Sequence, residues 1–186
     1  MVPVQTLTVR VGGRDYRLRA LRDRLEAPDP VFGELWPAGR ALAELMATYP
    51  ASGKRVLEAG CGLALPSLVL KSRGIDITAT DHHSMAGEFL AFNARANGIA
   101  AVRFESGSWN AIQLGEYDLI VGADLLYQPD QPAQLALFLE RHAAPGAEIL
   151  IADPGRRPLA AFRKLMAGRA CSESRIAPGV RLLTFA

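Results

Sequence analysis

The stretch GKRVLEAGCGLALP, Gly53 to Pro66, decides the fold. Arg55-Val56-Leu57 is a short apolar run headed by a charge, Glu58 to Gly62 breaks it, and Leu63 to Leu70 resumes in a helix-compatible pattern. Strand, glycine turn, helix is the order that cradles a nucleotide-like ligand. Gly60 and Gly62 lack a Cβ, so the backbone there turns sharply and admits a close approach. The helix that follows would aim its free N–H groups at whatever sits in the turn. An ordinary strand-to-helix turn has the same outline, so this stretch alone leaves both readings open.

Outward from this turn the chain becomes regular. Strand Arg55–Ala59 leads to helix Leu65–Arg73, which Gly74 stops. Strand Ile75–Thr80 ends at Asp81, and helix Met85–Asn97 follows and stops at Gly98. Strand Ala101–Glu105, a turn or short helix at Trp109–Leu114, strand Tyr117–Gly122 and helix Pro132–Ala143 come next. Pro145-Gly146 breaks the pattern before strand Ala147–Ala152. A helix from Pro158 to Ala167 and two runs, Ala170–Ile176 and Val180–Phe185, finish the chain; Pro178-Gly179 makes those runs an antiparallel hairpin. Upstream, Gln5–Leu18 reads as a hairpin turning at Gly12-Gly13, with a frayed terminal ribbon as the alternative. Asp23 to Gly33 reads as a loop, and Pro37 opens a helix over Ala38–Thr48.

Such alternation predicts an α/β fold: a Rossmann-like, doubly wound, mostly parallel seven-stranded sheet with helices on both faces. An antiparallel C-terminal hairpin and an N-terminal β-hairpin complete it. The length of 186 residues predicts one domain, 1–186, with a hairpin and lid-like extension at 1–35 and the core at 36–186. Apolar residues make up 49% and charged residues 22%, as in ordinary globular proteins. The net charge of +2 is too small to imply nucleic acid or an anionic membrane as partner. Two distant cysteines, Cys61 and Cys171, argue against a disulfide framework and for a cytoplasmic location. No apolar run approaches a membrane span, and Val2 to Val9, which alternates with polar residues and contains Pro3, does not read as a signal-peptide core. A monomer is expected, since no large apolar surface stripe shows in the sequence.

In sheets of this kind the ligand lies beyond the carboxyl ends of the strands. Asp81 ends the second core strand, 21 residues after Gly60, where an acid accepts hydrogen bonds from ribose hydroxyls. The alternative is an N-cap for the following helix, which Ser84 would serve as well. Glu58, inside the glycine turn, would repel a pyrophosphate but suit a ligand with a positive centre and an amino group. S-adenosylmethionine (SAM) is such a ligand. Trp109 follows a strand end, as a ligand wall or as core. His, Cys and acidic residues show no metal spacing, so no metal is expected. Cys61 has no base partner that would make it a nucleophile.

Glu58-Ala-Gly60-Cys-Gly62 resembles motif I of the seven-strand, class I SAM-dependent methyltransferases. The resemblance covers Phe32 to Ala186 and is nearest to the family-16, lysine methyltransferase-like branch. Trp36-Pro-Ala-Gly39 is similar to that branch's upstream WPxG segment, and Gly62-Leu-Ala-Leu-Pro66 to its GxGxGLPG run, with Ser67 where a glycine often stands. Ser108-Trp109-Asn110 is similar to its post-strand tryptophan motif, whose Trp stacks near adenine. Ala123-Asp124-Leu-Leu-Tyr127 is similar to its (D/E)xx(Y/F) motif. Asp153-Pro-Gly-Arg156 resembles the members that methylate electron-transfer flavoprotein, or is a polar turn before a helix.

The resemblance implies SAM as cofactor, S-adenosylhomocysteine as product, and Trp36, Glu58, Gly60, Cys61, Gly62, Asp81, His82, Trp109 and Ala123 around it. Trp36 would close over the SAM tail or staple the first helix. Asp124 would orient the acceptor amine and Tyr127 would wall the channel or accept a proton through water; alternatively Asp124 caps a turn and Tyr127 packs on the sheet. Leu125 and Leu126 stand where nucleic-acid amino methyltransferases carry prolines, which argues against a base as substrate. The expected function is therefore N-methylation of a protein lysine. A small amine or heteroaromatic nitrogen is the alternative, and a non-catalytic SAM-binding module or an NAD-dependent oxidoreductase the distant ones. The substrate platform would come from the N-terminal hairpin, the Asp23–Trp36 loop and the Tyr127–Asp130 loop, with Phe32 as a lid over a small substrate.

Overall fold

The structure is a computed structural model that describes residues 3–22 and 32–186. The expected loop from Asp23 to Gly33 therefore lies outside the described residues but for Phe32 and Gly33. In chain order the elements are β1 (Val4–Val11), β2 (Arg14–Leu21), α1 (Pro37–Met46), β3 (Arg55–Ala59) and α2 (Leu65–Ser72). Then come β4 (Asp76–Asp81), α3 (Ala86–Ala96), β5 (Arg103–Ser106), β6 (Tyr117–Ala123) and α4 (Gln131–His142). β7 (Ala143–Asp153), α5 (Pro158–Leu165), β8 (Cys171–Ala177) and β9 (Val180–Phe185) close the chain.

β3 to β9 form one seven-stranded sheet in the order β5-β4-β3-β6-β7-β9-β8. The first five strands of that order run parallel, and β9 is antiparallel to both its neighbours, β7 and β8. This is the doubly wound sheet with a C-terminal hairpin that the alternating pattern predicts. The chain leaves β3 towards β5, then returns to lay β6 on the other side of β3. The order reverses between β3 and β6, and there the carboxyl ends of two strands diverge and leave a crevice.

The two-residue period of the strands explains why their sequences read as apolar runs. Val56, Leu119, Val121, Leu150, Ala152 and Leu182 face the layer that contains α1, α2 and α3. Their neighbours Leu57, Ile120, Ile149, Ile151 and Leu183 face the layer of α4 and α5. Both faces are covered, so both are mainly apolar. Each fully buried aliphatic side chain contributes about 1.5–3 kcal/mol.

One strand departs from expectation. Pro145-Gly146 does not precede β7 but lies within it. Tyr117 pairs with Ala143, and the next pair is Leu119 with Glu148, so the ladder shifts register across the Pro-Gly. Pro145 has no N–H to pair and Gly146 takes φ 77°, so the strand bulges there instead of ending.

The N-terminal hairpin turns at Gly12 (φ 55°) and Gly13 (φ 82°), as a two-residue loop of primed type requires. It is no frayed ribbon. Val11, Tyr16 and Leu18 are buried in the core with Leu42 and Met46 of α1. Two asparagines one turn apart on α3 hold its edge. The Arg19 N–H donates to Asn93 Oδ1 at 2.7 Å and the Arg17 N–H to Asn97 Oδ1 at 2.8 Å. Asn97 Nδ2 returns a bond to the Arg17 carbonyl at 2.7 Å. The Arg14 and Arg17 guanidinium groups donate to the carbonyls of Asn97 and Ala96, which end α3. Among the described residues, no helix is long and apolar enough to cross a membrane.

Candidate functional site

A cavity of about 240 Å³ opens at the carboxyl ends of β3, β4, β5 and β6. Its walls include Trp36 at the start of α1, Gly60 and Gly62 after β3, Asp81 and His82 after β4, Trp109 after β5, and Asp124 and Tyr127 after β6. Eight of the residues singled out from sequence thus meet in one crevice, although they span 92 positions of the chain.

The glycine turn is forced by its surroundings. Gly60 has φ 61°, and a Cβ on it would lie 2.5 Å from Leu125 Cδ2. Gly62 has φ 52°, and a Cβ there would meet nothing within 4 Å, because that side opens on the cavity. Leu125 is buried at this turn: a Cβ on Gly122 would also strike it, at 2.6 Å. A leucine in that motif is therefore fixed by packing.

Asp81 is buried, and each of its oxygens takes one backbone N–H. Oδ2 accepts from Gly62 at 2.8 Å, and Oδ1 from His83 at 2.9 Å. A carboxylate has about four acceptor sites, so both oxygens retain capacity towards the cavity. Neither Asp81 nor Ser84 caps α3, whose cap residue is Met85 with no side-chain bond. His82 is exposed beside Asp81, its Nδ1 3.5 Å from Asp81 Oδ1. Trp109 is half-buried and serves two neighbours: its ring packs on Phe138 of α4 at 6.3 Å between centroids, and it also lies at the edge of Gly60.

Three residues expected around the cofactor do not line the cavity: Glu58, Cys61 and Ala123. Ala123 is the last residue of β6 and packs on the α1–α3 layer. Cys61 is buried, its thiol pushed up by burial and by the neighbouring Asp81 and Glu58, so it is inert. Glu58 lies behind the turn. Its Oε2 accepts the Ser67 N–H at 2.9 Å and also the Ser67 hydroxyl. Ser67 is the third residue of α2, whose cap position Ala64 offers no side chain and takes φ 59°. A carboxyl from β3 thereby caps the helix that follows it. Burial raises Glu58 to about 8, against the two Ser67 bonds that lower it.

Asp124 adopts φ 59° just past β6 and lines the cavity. Its Oδ1 lies 2.8 Å from Arg156 Nη1, and its buried Oδ2 has no hydrogen-bond partner. Burial pushes its carboxyl up while Arg156 draws it down. The Tyr127 loop is fixed by Gln131, whose Oε1 accepts the N–H groups of Tyr127 and Gln128 at 2.7 and 2.8 Å. Phe32 stacks on His83 at 3.9 Å between ring centroids, and both border the cavity. No residue of the hairpin lines it. Ser67, Gln131, His83 and the Arg156 contact escape sequence reading: Ser67 reads only as a departure from a glycine, and Gln131 as one more residue ahead of a helix. Among the described residues, no three His, Cys, Asp or Glu side chains gather as a metal would need.

The sheet order, the glycine turn and the acids at successive strand ends define the class I, SAM-dependent methyltransferase fold. Solved structures share it. The ribosomal protein L11 methylase of Lactobacillus delbrueckii subsp. bulgaricus matches with a TM-score of 0.70 at 20% identity, over 85% of this chain and 82% of that one. The Thermus thermophilus 16S rRNA N2 G1207 methyltransferase, solved with AdoMet and guanosine, matches with a TM-score of 0.76 at 17% identity, over 100% and 51%. The profile of the family described as "Lysine methyltransferase" matches residues 20–162, and the chain belongs to that family.

The electron transfer flavoprotein beta subunit lysine methyltransferase of Mus musculus is 33% identical over 132 residues, 69% of this chain and 52% of that protein. The protein N-lysine methyltransferase METTL21A of Danio rerio is 32% identical over 131 residues, 65% and 59%. The chain thus spans about half the length of the curated relatives it matches.

Proposed function

We propose that the cavity binds SAM and that the chain methylates the side-chain amine of a lysine in a protein substrate. The observation that carries this reading is the convergence of bare backbone at Gly60 and Gly62 with two carboxylates, Asp81 and Asp124, around one cavity. The residues fit the cofactor. Gly62 borders open space in the cavity, and Asp124 holds a buried oxygen that lacks a donor.

When bound, SAM supplies a methyl group on a sulfonium, open to in-line attack. The protein's part is to place the two reactants. Asp81 takes the ribose hydroxyls on its remaining lone pairs, while its bonds to Gly62 and His83 keep it fixed. Trp109 and Trp36, which both line the cavity, would wall the adenine and close over the tail of the cofactor. An acceptor amine entering past Tyr127 would donate to Asp124, which would orient it towards the group to be transferred. A lysine amine has an ordinary pKa near 10.4, so it must shed a proton first. Orientation supplies most of the acceleration in such a transfer. The family to which the chain belongs, and relatives named for lysine methylation, support a protein acceptor. A cytoplasmic location and a monomer belong to the same reading. Free Cys61 and Cys171, and Leu137 and Leu165 as the exposed large hydrophobics among the described residues, support them.

The test is to incubate the protein with tritiated SAM, using electron transfer flavoprotein beta subunit and nicotinamide as separate acceptors. Label in lysine of the protein acceptor is expected. Label in nicotinamide alone, or calorimetric binding of NAD without binding of SAM, would overturn the reading.

A further inference from the structure

We propose that Arg156 is a positioning residue: it pairs with one oxygen of Asp124 and leaves the other, covered and unpaired, for the incoming amine. The inference rests on the role proposed above for Asp124. It starts from the register of the sheet. Ala123 of β6 stands beside Ala152 of β7, and the Asp124 N–H donates to the Ala152 carbonyl at 3.0 Å. The next residues on each strand, Asp124 and Asp153, are therefore abreast. Two carboxylates side by side repel each other and need a cation between them.

Arg156 supplies it. Its Nη1 lies 2.8 Å from Asp124 Oδ1 and 4.0 Å from Asp153 Oδ2. Its place is fixed from behind. Asp153 is fully buried, and its Oδ1 accepts the N–H groups of Gly155 at 2.6 Å and Arg156 at 3.0 Å. The residues between them serve this turn. Pro154 has no N–H to compete for the carboxylate. Gly155 takes φ 90°, and a Cβ on it would come within 3.2 Å of Arg181 Nε. The arginine side chain then crosses from the end of β7 to the end of β6.

The groups that face Asp124 are thus Arg156 and Asp153 from β7 and its loop, and the Ala38 N–H from the start of α1. The Oδ2 atoms of Asp124 and Asp153 are both buried without a hydrogen-bond partner, and Arg156 Nη1, buried between them, meets Asp124 as an ion pair without hydrogen-bond geometry. A buried acceptor left unpaired is unfavourable until a donor arrives. Of the two residues, Asp124 borders the cavity, so its covered Oδ2 is the one that an amine N–H or ammonium entering there would pair. Without Arg156 the Asp124 carboxyl would be free to turn, and burial beside Asp153 would favour its protonated form, which accepts poorly from an amine.

The experiment follows the Asp124 carboxyl by carbon-13 NMR titration in the intact protein, its resonance assigned by its loss in Asp124→Asn. In Arg156→Gln the midpoint should rise by about one pH unit or more, with a smaller rise in Arg156→Lys. In parallel, methyl transfer to electron transfer flavoprotein beta subunit near neutral pH should lose about tenfold or more in kcat, while the Kd for SAM stays within about twofold. A midpoint that stays in place, or a loss confined to SAM affinity or to thermal stability, overturns the inference. If Arg156→Gln does not fold, Arg156→Met is read by the same outcomes. Full turnover in Asp124→Asn would instead overturn the role of Asp124 itself, a result distinguishable from an unmoved midpoint in the arginine variants.

Discussion

Replacing Glu58 by glutamine should make the protein relatively more stable as the pH rises. Glu58 is 3% exposed, and burial raises its carboxyl from the ordinary 4.5 to about 8. A group whose pKa is higher in the folded than in the unfolded chain stabilises fully below the unfolded value, and that contribution is lost as pH climbs to the folded one. Between those limits the loss is about 1.4 kcal/mol per pH unit. Glutamine keeps the shape and an oxygen for the Ser67 N–H and hydroxyl, but it has no proton to lose. The stability of wild type minus that of Glu58→Gln should therefore fall by about 2 kcal/mol between roughly pH 6 and pH 7.5. Urea melts of both proteins across that range, followed by circular dichroism, measure this difference, and other titrating groups cancel in the subtraction. A difference that stays flat, or that grows with pH, would refute the claim that burial dominates over the two serine bonds and the helix N-terminus.

Three further substitutions test separate parts of the structure. Asp81→Ala should weaken SAM binding by about tenfold or more in calorimetry, since two positioned hydrogen bonds to ribose are lost; unchanged affinity with a lower Tm would mean that Asp81 only holds its loop. Gly60→Ala places a methyl 2.5 Å from Leu125 Cδ2 at a positive φ, so it should destabilise by about 1–3 kcal/mol in denaturant melts and also weaken SAM binding. Asn93→Ala strands the Arg19 N–H beneath α3 and should destabilise by about 1–3 kcal/mol without altering SAM affinity, because Asn93 does not line the cavity.

The sequence makes legible whatever depends on neighbours along the chain. Val56-Leu57 and Leu119-Ile120 announce strands buried on both faces, and the two glycines after Glu58 announce the turn. Asp81, Trp109 and Asp124 stand out because each lies at or just past the end of a strand-like run, and the sheet order then brings those ends together. What escapes is set by contacts between distant residues. Glu58 reads as a charge facing the ligand, whereas it faces Ser67, nine positions on, and spends its oxygen on a helix start. Arg156 reaches Asp124 across 32 positions, a meeting that depends on β6 and β7 lying side by side. Pro145-Gly146 reads as a terminator because a local rule cannot see the partner strand that tolerates a bulge. Gln131 is silent in sequence because its two acceptor contacts go to the backbone of the preceding loop.

The clamp that α3 places on β2 also gives the protein a chemical clock. Asn97 is followed by Gly98, a pair prone to cyclise to a succinimide and hydrolyse to aspartate or isoaspartate. In the folded chain the attacking atom is occupied: the Gly98 N–H donates to the Arg95 carbonyl at 3.1 Å. The amide that would be attacked is held at both ends, its oxygen by the Arg17 N–H and its nitrogen by the carbonyls of Arg17 and Asn93. Ageing at Asn97 must then wait for the end of α3 and the hairpin to part. Once it has occurred, a carboxylate replaces the donor that bonded the Arg17 carbonyl, and reclosure is impaired. The rate at which stored protein acquires aspartate at this one position thus reports the fraction of time the hairpin spends lifted off.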